Sequence, residues 1–521
     1  MSQVSLPARS ILVALAASFV FAAPASASQV LEFHGGGRLV PHENPYLPPP
    51  AGPEAALTGS EQACPAPAPA PPALPKLHAA RGPSVDAAVA KAARGHRISA
   101  SRAASYRRIY AAARSARSQL SGRNRRELSA VITVLEGIAA RGQLTAGRMP
   151  ALFLQLDRNR QFWHGKPAFP VRTDLQPDPC TRPPSNNPAG ARIVFEGSPV
   201  VYQYYPGQGI QLQPLANFGM ANGMITGCRH DPTTCDRAGL KQLLDEMVAI
   251  RSSRGGFVTW EYWFYFGGGT PPWTSGLSSG TAIQALARAS EKSILDDKSY
   301  LRVAHGALGV FQTAPPVGVR LKRDGGSHYL IYSFDPGLRV LNGFLQAITG
   351  LFDYAKVAKD PVARKLYKAG DRAAQHELHR FDTGKWSLYS EGGAESSLGY
   401  HRLVTGFLDD LCKRLKGKYC TYHDRFRSYL GDKPAIAYSG DAQGTAGTPL
   451  ALRYKIDKPA CVTIEVTDSN GTVVFRDRRK VARGTHSVKW TPDAAGTYTL
   501  TIGAVDQNKN ATSPDFPLVV Q

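Results

Sequence analysis

Acidic residues are scarce in this 521-residue chain: 40 Asp and Glu stand against 62 Lys and Arg, a formal charge of +22. That deficit says nothing about fold, but it favours anionic partners such as nucleic acid, an acidic polymer or a membrane surface. Common catalytic signatures are missing as well. There is no HExxH and no GxxxxGK followed by Ser or Thr, which removes the usual zinc-peptidase and phosphate-loop motifs. The triplet Gly267-Gly268-Gly269 runs into Thr270-Pro271-Pro272 and is no phosphate loop. No CxxC spacing points to zinc, and no Cys/His pair presents a nucleophile dyad. No metal or cofactor is expected. The apolar run Ile11 to Ala23 is too short for a comfortable membrane span, and no other run is long and apolar enough to cross a bilayer. With 43% hydrophobic and 20% charged residues, collagen, coiled coil and polytopic membrane protein are excluded. At roughly 150 residues per domain, about three globular domains are expected.

What is present begins with an address. Arg9, the apolar run Ile11 to Ala23 and the small-residue pattern Pro24-Ala25-Ser26-Ala27 predict a signal peptide over residues 1–27, cut after Ala27. A secreted or cell-envelope protein with no membrane span after cleavage follows. Export turns the charge argument away from nucleic acid and towards acidic polysaccharide, or towards a generally basic solvated surface. In an oxidising compartment the seven cysteines default to disulfides. Cys228/Cys235 and Cys412/Cys420 have short-loop spacings. One cysteine must stay unpaired, and Cys461, within a strand pattern, is the expected one.

Five pieces follow along the chain. Residues 28–80 are rich in Pro and Ala and predict a polyproline-leaning linker. Residues 81–165 form a basic helical region. Between Arg81 and Arg126 there are twelve Lys/Arg and a single acid, Asp86. Leu128, Val131, Ile132, Leu135 and Ile138 recur at helical spacing, so a helical hairpin to about Phe153 is expected. The basic helix either docks a polyanion or is a solvated face. Residues 185–430 carry three helical stripes: Leu240 to Val248, Leu341 to Phe352 and Tyr400 to Leu411. Long glycine-bearing loops separate them, which predicts a mainly α toroid whose loops line one concave end. Residues 436–521 switch to period two. Val462, Ile464 and Val466 alternate with polar residues before a turn at Asn470-Gly471, which predicts an immunoglobulin-like β-sandwich.

A glycosidase needs two facing carboxylates. Glu261, Asp353, Asp382, Glu391 and Glu395 could supply them, but no spacing singles out a pair. Tyrosine stands out instead, in His328-Tyr-Leu-Ile-Tyr-Ser, in Gly384-Lys-Trp-Ser-Leu-Tyr-Ser-Glu and in Tyr400-His401-Arg402. Val340-Leu-Asn-Gly-Phe, Gly350-Leu-Phe-Asp-Tyr, Leu366-Tyr, Phe381-Asp-Thr-Gly, Ser387-Leu-Tyr and Tyr400-His then occur in order. Over about Ser327 to Leu430 this segment resembles the C-terminal domain of D-glucuronyl C5-epimerases, which turn glucuronate into iduronate within heparan-type chains. Trp273 and the stretch from Gly280 extend the likeness faintly upstream. The resemblance implies an (α/α)-barrel and a heparosan-like, anionic uronate-containing polysaccharide as substrate.

It also implies Tyr332, Tyr389 and Tyr400 as catalytic, with Asn342 in the shared Leu-Asn-Gly-Phe motif. Two departures stand out. The family has an acid just before the first tyrosine, where this chain has Ile331. It has Asp-Leu-Arg after the second, where this chain has Ser390-Glu391-Gly392. Arg339, Lys385 or Arg402 is then expected to take over carboxylate recognition, with Glu391 and His401 assisting.

The chemistry suits such groups. The C5 proton of a hexuronate lies α to a carboxylate, so cations or proton donors must stabilise the developing enolate-like charge. Inversion needs one group to remove the proton and another to return it on the opposite face. Tyrosine has a reference pKa of about 10 and needs a nearby cation to act as base; His401 and Arg402, beside Tyr400, are the candidates for that cation. Two alternatives remain at this level: a uronate lyase, and a non-catalytic secreted glycan binder. Self-association is left open.

Overall fold

The computed structural model describes residues 28–48, 82–170 and 188–521. The expected signal peptide, most of the Pro/Ala-rich stretch, Cys64 and Cys180 lie outside those residues.

The linker expected over 28–80 does not begin at residue 28. Ser28–Phe33 (β1) and Leu39–Asn44 (β2) pair antiparallel. β1 also lies parallel to Arg192–Phe195 (β3), with Leu31 opposite Ile193. Ser198–Tyr205 (β4) and Gly209–Leu212 (β5) complete a sheet of order β2-β1-β3-β4-β5. Val30, Leu31 and Phe33 are buried in it. The partner strand lies some way along the chain, so local composition carried no sign of the pairing.

The basic region is four helices rather than a hairpin: Val85–Arg94 (α1), Ala100–Gln119 (α2), Gly122–Ala140 (α3) and Met149–His164 (α4). Ser84 and Ser99 cap the first two, their hydroxyl oxygens accepting from the N–H groups of Ala87 and Arg102. The stripe from Leu128 to Ile138 is buried, while Arg102, Arg107 and Arg108 face solvent. These helices are not a separate domain. One hydrophobic core runs without a break from Val30 to Tyr429. A buried ion triad ties them in: Arg148 and Arg254 meet Glu261 at 2.8 and 2.7 Å.

The helices of the central block are Pro214–His230 (α5), Arg237–Ala249 (α6), Gly276–Ala289 (α7), Ser299–Ala307 (α8), Leu341–Ala358 (α9), Pro361–Glu377 (α10), Leu398–Leu415 (α11) and Lys418–Tyr429 (α12). α5 packs on α7, α7 on α9, α9 on α10 and α11, and α11 on α12. α7 and α9 meet backbone to backbone. A Cβ on Gly350 would strike the Gly280 carbonyl, and one on Gly280 would sit 2.7 Å from the Ala347 Cα. Disulfides Cys228–Cys235 and Cys412–Cys420 clip α5 to the approach of α6 and α11 to α12. Cys461, expected to be free, is disulfide-bonded. Its partner lies outside the described residues, at a distance in the chain that spacing arguments cannot reach.

Arg320–Arg323 (β6) and Gly326–Tyr329 (β7) form a hairpin that delivers the chain to α9. The C-terminal region is all β. Ile436–Tyr438 (β8), Leu450–Ile456 (β9) and Gly484–Trp490 (β10) make one sheet. The second is built on Ala460–Thr467, Val473–Val481, Gly496–Asp506 and Asp515–Val520. Both sheets share one core of Leu452, Tyr454, Val462, Ile464, Trp490, Leu500 and neighbours, so this is a β-sandwich. Gly471, at φ +83°, closes the expected hairpin. Lys458 pins the sandwich to the helical block. Fully buried, its ammonium reaches the carbonyls of Tyr429 and Asp432 at 2.9 and 2.8 Å and the Asp506 carboxylate at 2.7 Å.

Candidate active site

The first turn of α9 gathers the motif. Val340, before it, offers no side-chain cap, so the leading N–H groups need outside acceptors. Two tyrosines supply them. The Leu341 N–H points at the Tyr389 carbonyl at 3.4 Å, and the Asn342 N–H donates to the Tyr400 hydroxyl at 3.0 Å. That hydroxyl donates in turn to the Tyr389 carbonyl at 3.0 Å. The two rings lie 5.0 Å apart. Gly343 has no side chain because Ile331 lies across it, 2.9 Å from where a Cβ would stand. Phe344 closes the turn, with the His328 ring 4.1 Å away.

Tyr332, one residue after Ile331, enters an aromatic wall. It stacks on Phe334 at 5.4 Å and meets Trp273 edge-on at 5.7 Å and Phe266 at 5.3 Å. Tyr332, Tyr389 and Tyr400 all belong to the main core, at 2%, 7% and 3% exposure, so none sits on the open surface. Asn342 is fully buried, and neither polar atom of its carboxamide finds a hydrogen-bond partner among the described residues. Such an orphan costs about 1–3 kcal/mol and marks a place built to meet something else.

Positive charge lies beside Tyr389. Glu391 takes Arg339 at 2.6 Å and Arg323 at 2.7 Å, with Arg380 at 3.8 Å. Burial pulls the Glu391 carboxyl upward, but these guanidiniums outweigh it and hold it below its usual range. Asp324 adds a second acid against Arg380, at 2.9 Å. Arg339 thus stands at the site with its charge already paired. Glu391 is an anchor for arginines rather than a free carboxylate.

The other expected residues are placed elsewhere. His401 is fully buried and flat on Trp386, 4.0 Å away. Its Nε2 lies 2.8 Å from the Phe426 carbonyl, which can only accept, so Nδ1 accepts from the Ser387 hydroxyl at 2.8 Å. Burial lowers its pKa to about 4. It is a neutral packing group and supplies no cation to Tyr400. Arg402 points away and donates to Asn508 of the sandwich at 2.6 Å. Lys385 is half-exposed and faces Asp432 at 3.7 Å.

The remaining candidate carboxylates are engaged too. Asp353 lies between Arg288 and Arg414, Asp382 accepts from Tyr429 and Arg425, and Glu395 meets Arg483 at 3.3 Å. Gly276 to Gly280 has GxSxG spacing, yet Ser278 is buried inside α7 and its hydroxyl turns back to the Ser275 carbonyl. Among the described residues no cluster of three or more His, Cys, Asp or Glu is placed to hold a metal. Sequence reasoning missed Arg323, Arg380, Glu377 and His328. Their meeting depends on β6–β7 lying against the end of α10, which no local pattern announces.

Residues 254–428 match the family described as D-glucuronyl C5-epimerase C-terminus. A D-glucuronyl C5-epimerase of Caenorhabditis elegans is 34% identical over 132 residues, covering 23% of this chain and 21% of that relative. The chain thus spans about a fifth of the length of the curated relative it matches. Among solved structures, an α-mannanase of Bacteroides thetaiotaomicron shares 11% identity over 45% of this chain and 65% of its own, at a TM-score of 0.34. A cellobiose 2-epimerase from Bacillus thermoamylovorans shares 11% over 44% and 64%, at 0.33. The likeness of segment 254–428 to the epimerase family rests on the first two matches.

Proposed function

We propose that this protein is a C5-epimerase of D-glucuronate residues within a heparosan-like polysaccharide. The observation that carries the reading is the first turn of α9, where Tyr389, Tyr400 and an orphaned, buried Asn342 meet inside the matched segment. Asn342 offers the substrate a donor and an acceptor that the chain itself leaves unused. The N-terminus of α9 carries partial positive charge, and Arg323, Arg339 and Arg380 stand near Tyr389. Both favour the negative charge that builds on the substrate carboxylate as its α-proton leaves.

The chemistry is proton removal at C5 and return to the opposite face, with tyrosine hydroxyls as donors and no redox step. Tyr400, whose hydroxyl proton already lies on the Tyr389 carbonyl, acts as a donor or relay, and Tyr332 presents its ring from the aromatic wall. With these groups buried in the free chain, substrate entry requires the aromatic wall or the Tyr389–Glu395 loop to move. The finer features belong to the same proposal. These are closure of the helices into an (α/α)-barrel, an immunoglobulin-like identity for the sandwich, and export of the mature chain.

Incubation with heparosan in heavy water tests it. Deuterium at C5 with intact chains and new iduronate supports the proposal. Ultraviolet-absorbing unsaturated ends indicate a uronate lyase. Retention on the polymer with neither indicates a binder, and the epimerase reading falls.

A further inference from the structure

Resting on that reading, we propose that His328, held by Glu377, is an additional proton-transfer group of the site. His328 is fully buried, and its Nδ1 lies 2.7 Å from a Glu377 carboxylate oxygen, itself buried. A carboxylate can only accept, so Nδ1 carries the hydrogen, and Nε2 is the nitrogen left to take up or give a proton. Among the described residues Nε2 has no hydrogen-bond partner. A buried imidazole with one nitrogen fixed by an acid and the other empty is the arrangement that orients a general base. His401 shows the contrast: its two nitrogens are both satisfied.

Position supports the assignment. The segment from His328 to Tyr332 crosses the first turn of α9, with His328 against Phe344 and Ile331 against Gly343. The same turn receives Tyr389 and Tyr400 and holds the orphaned Asn342. Two fully buried side chains, each with a polar atom that has no hydrogen-bond partner among the described residues, thus flank one helical turn. Glu377 is tied onward. Arg323 lies 3.4 Å from its second oxygen and bonds Glu391, two residues beyond Tyr389. The chain has Ile331 just before Tyr332, so no acid stands there. The His328–Glu377 pair supplies a titratable group on the same segment.

The step balances without a co-reactant. Nε2 takes the C5 proton, the C5–H electron pair moves into the carboxylate as an enediolate, and a tyrosine hydroxyl delivers a proton to the other face. The imidazolium and phenolate then return to neutral by proton exchange with water.

The test compares wild type, His328→Gln and Glu377→Gln in heavy water on heparosan, which holds only glucuronate, and on the same polymer first epimerised by the wild type, reading C5 exchange from each epimer and inversion separately. Wild-type exchange must be present; its absence overturns the epimerase reading and this inference with it. His328→Gln is expected to lose inversion and exchange from glucuronate by about 10²–10⁴-fold while exchange from iduronate persists, because the tyrosine on the other face remains. Glu377→Gln removes the carboxylate charge that holds the ring and is expected to lower the kcat of inversion with KM unchanged. Melting curves of all three proteins accompany the kinetics. If folded His328→Gln or Glu377→Gln keeps wild-type inversion, or His328→Gln loses exchange from both epimers in equal proportion, His328 is a packing residue and the inference fails.

Discussion

Lys458→Met tests how the sandwich is held against the site. The Lys458 ammonium is fully buried, contacts two carbonyls and one carboxylate within 2.9 Å, and lies 4.9 Å from the Trp386 ring centroid. Methionine keeps the length of the side chain and removes the charge. Asp506, 1% exposed, then keeps the N–H groups of Asn508 and Asn510 but loses its only buried cation partner among the described residues. Removing one partner of a buried ion pair costs about 3–5 kcal/mol. Lys458→Met with Asp506→Asn removes both charges and should recover more than half of that loss, since a buried pair is near neutral against uncharged replacements. Urea unfolding followed by tryptophan fluorescence reads it, because Trp386 lies under the ammonium. A single-variant loss below about 1 kcal/mol, or a double variant no better than the single, would show that the ion pair does not hold the interface.

Other outcomes follow from the same geometry. Gly350→Ala forces a methyl group into the Gly280 carbonyl and should cost at least 1–3 kcal/mol in urea titration, roughly the range for overpacking. Tyr400→Phe leaves the Asn342 N–H without its acceptor; about 1–3 kcal/mol of stability should go, and C5 exchange on heparosan should fall at least roughly a hundredfold. His401 is neutral in the fold, with its pKa lowered to about 4 from 6.5. Its stability contribution is therefore complete above pH 6.5 and is lost as pH falls from 6.5 towards 4, because the unfolded chain binds the proton first. The loss is about 3 kcal/mol, read as the pH 7 to pH 4 difference in unfolding free energy that His401→Gln removes.

Periodicity was a sound guide wherever an element's partner lay close in the chain. The stripe from Leu341 to Phe352 is α9, that from Tyr400 to Leu411 is α11, and the alternation around Val462 is a sandwich strand. The short Cys228/Cys235 and Cys412/Cys420 loops likewise closed as expected. It failed where pairing is remote. β1 reads as part of a Pro/Ala stretch until β3 arrives more than 150 residues later, and Cys461 joins a partner outside the described residues. Adjacency misled at Tyr400. His401 and Arg402 follow it in sequence, but successive helical side chains point roughly 100° apart. They end against Trp386 and Asn508 instead.

The order of residues alone settled the helical stripes of α9 and α11, the alternation of the sandwich strands, the basic charge and the motif that resembles the epimerase family, because those depend on spacing of a few positions along one element. Folding settled which groups share a turn. Tyr389 and Tyr400 reach the start of α9 through backbone hydrogen bonds, and Glu377 reaches His328 from the far end of another helix. Arg323 and Arg380 converge on Glu391 from separate elements. Burial then assigned the roles, leaving His401 satisfied and neutral while Asn342 and the Nε2 of His328 stay unpaired, since desolvation and partner geometry exist only once distant elements pack.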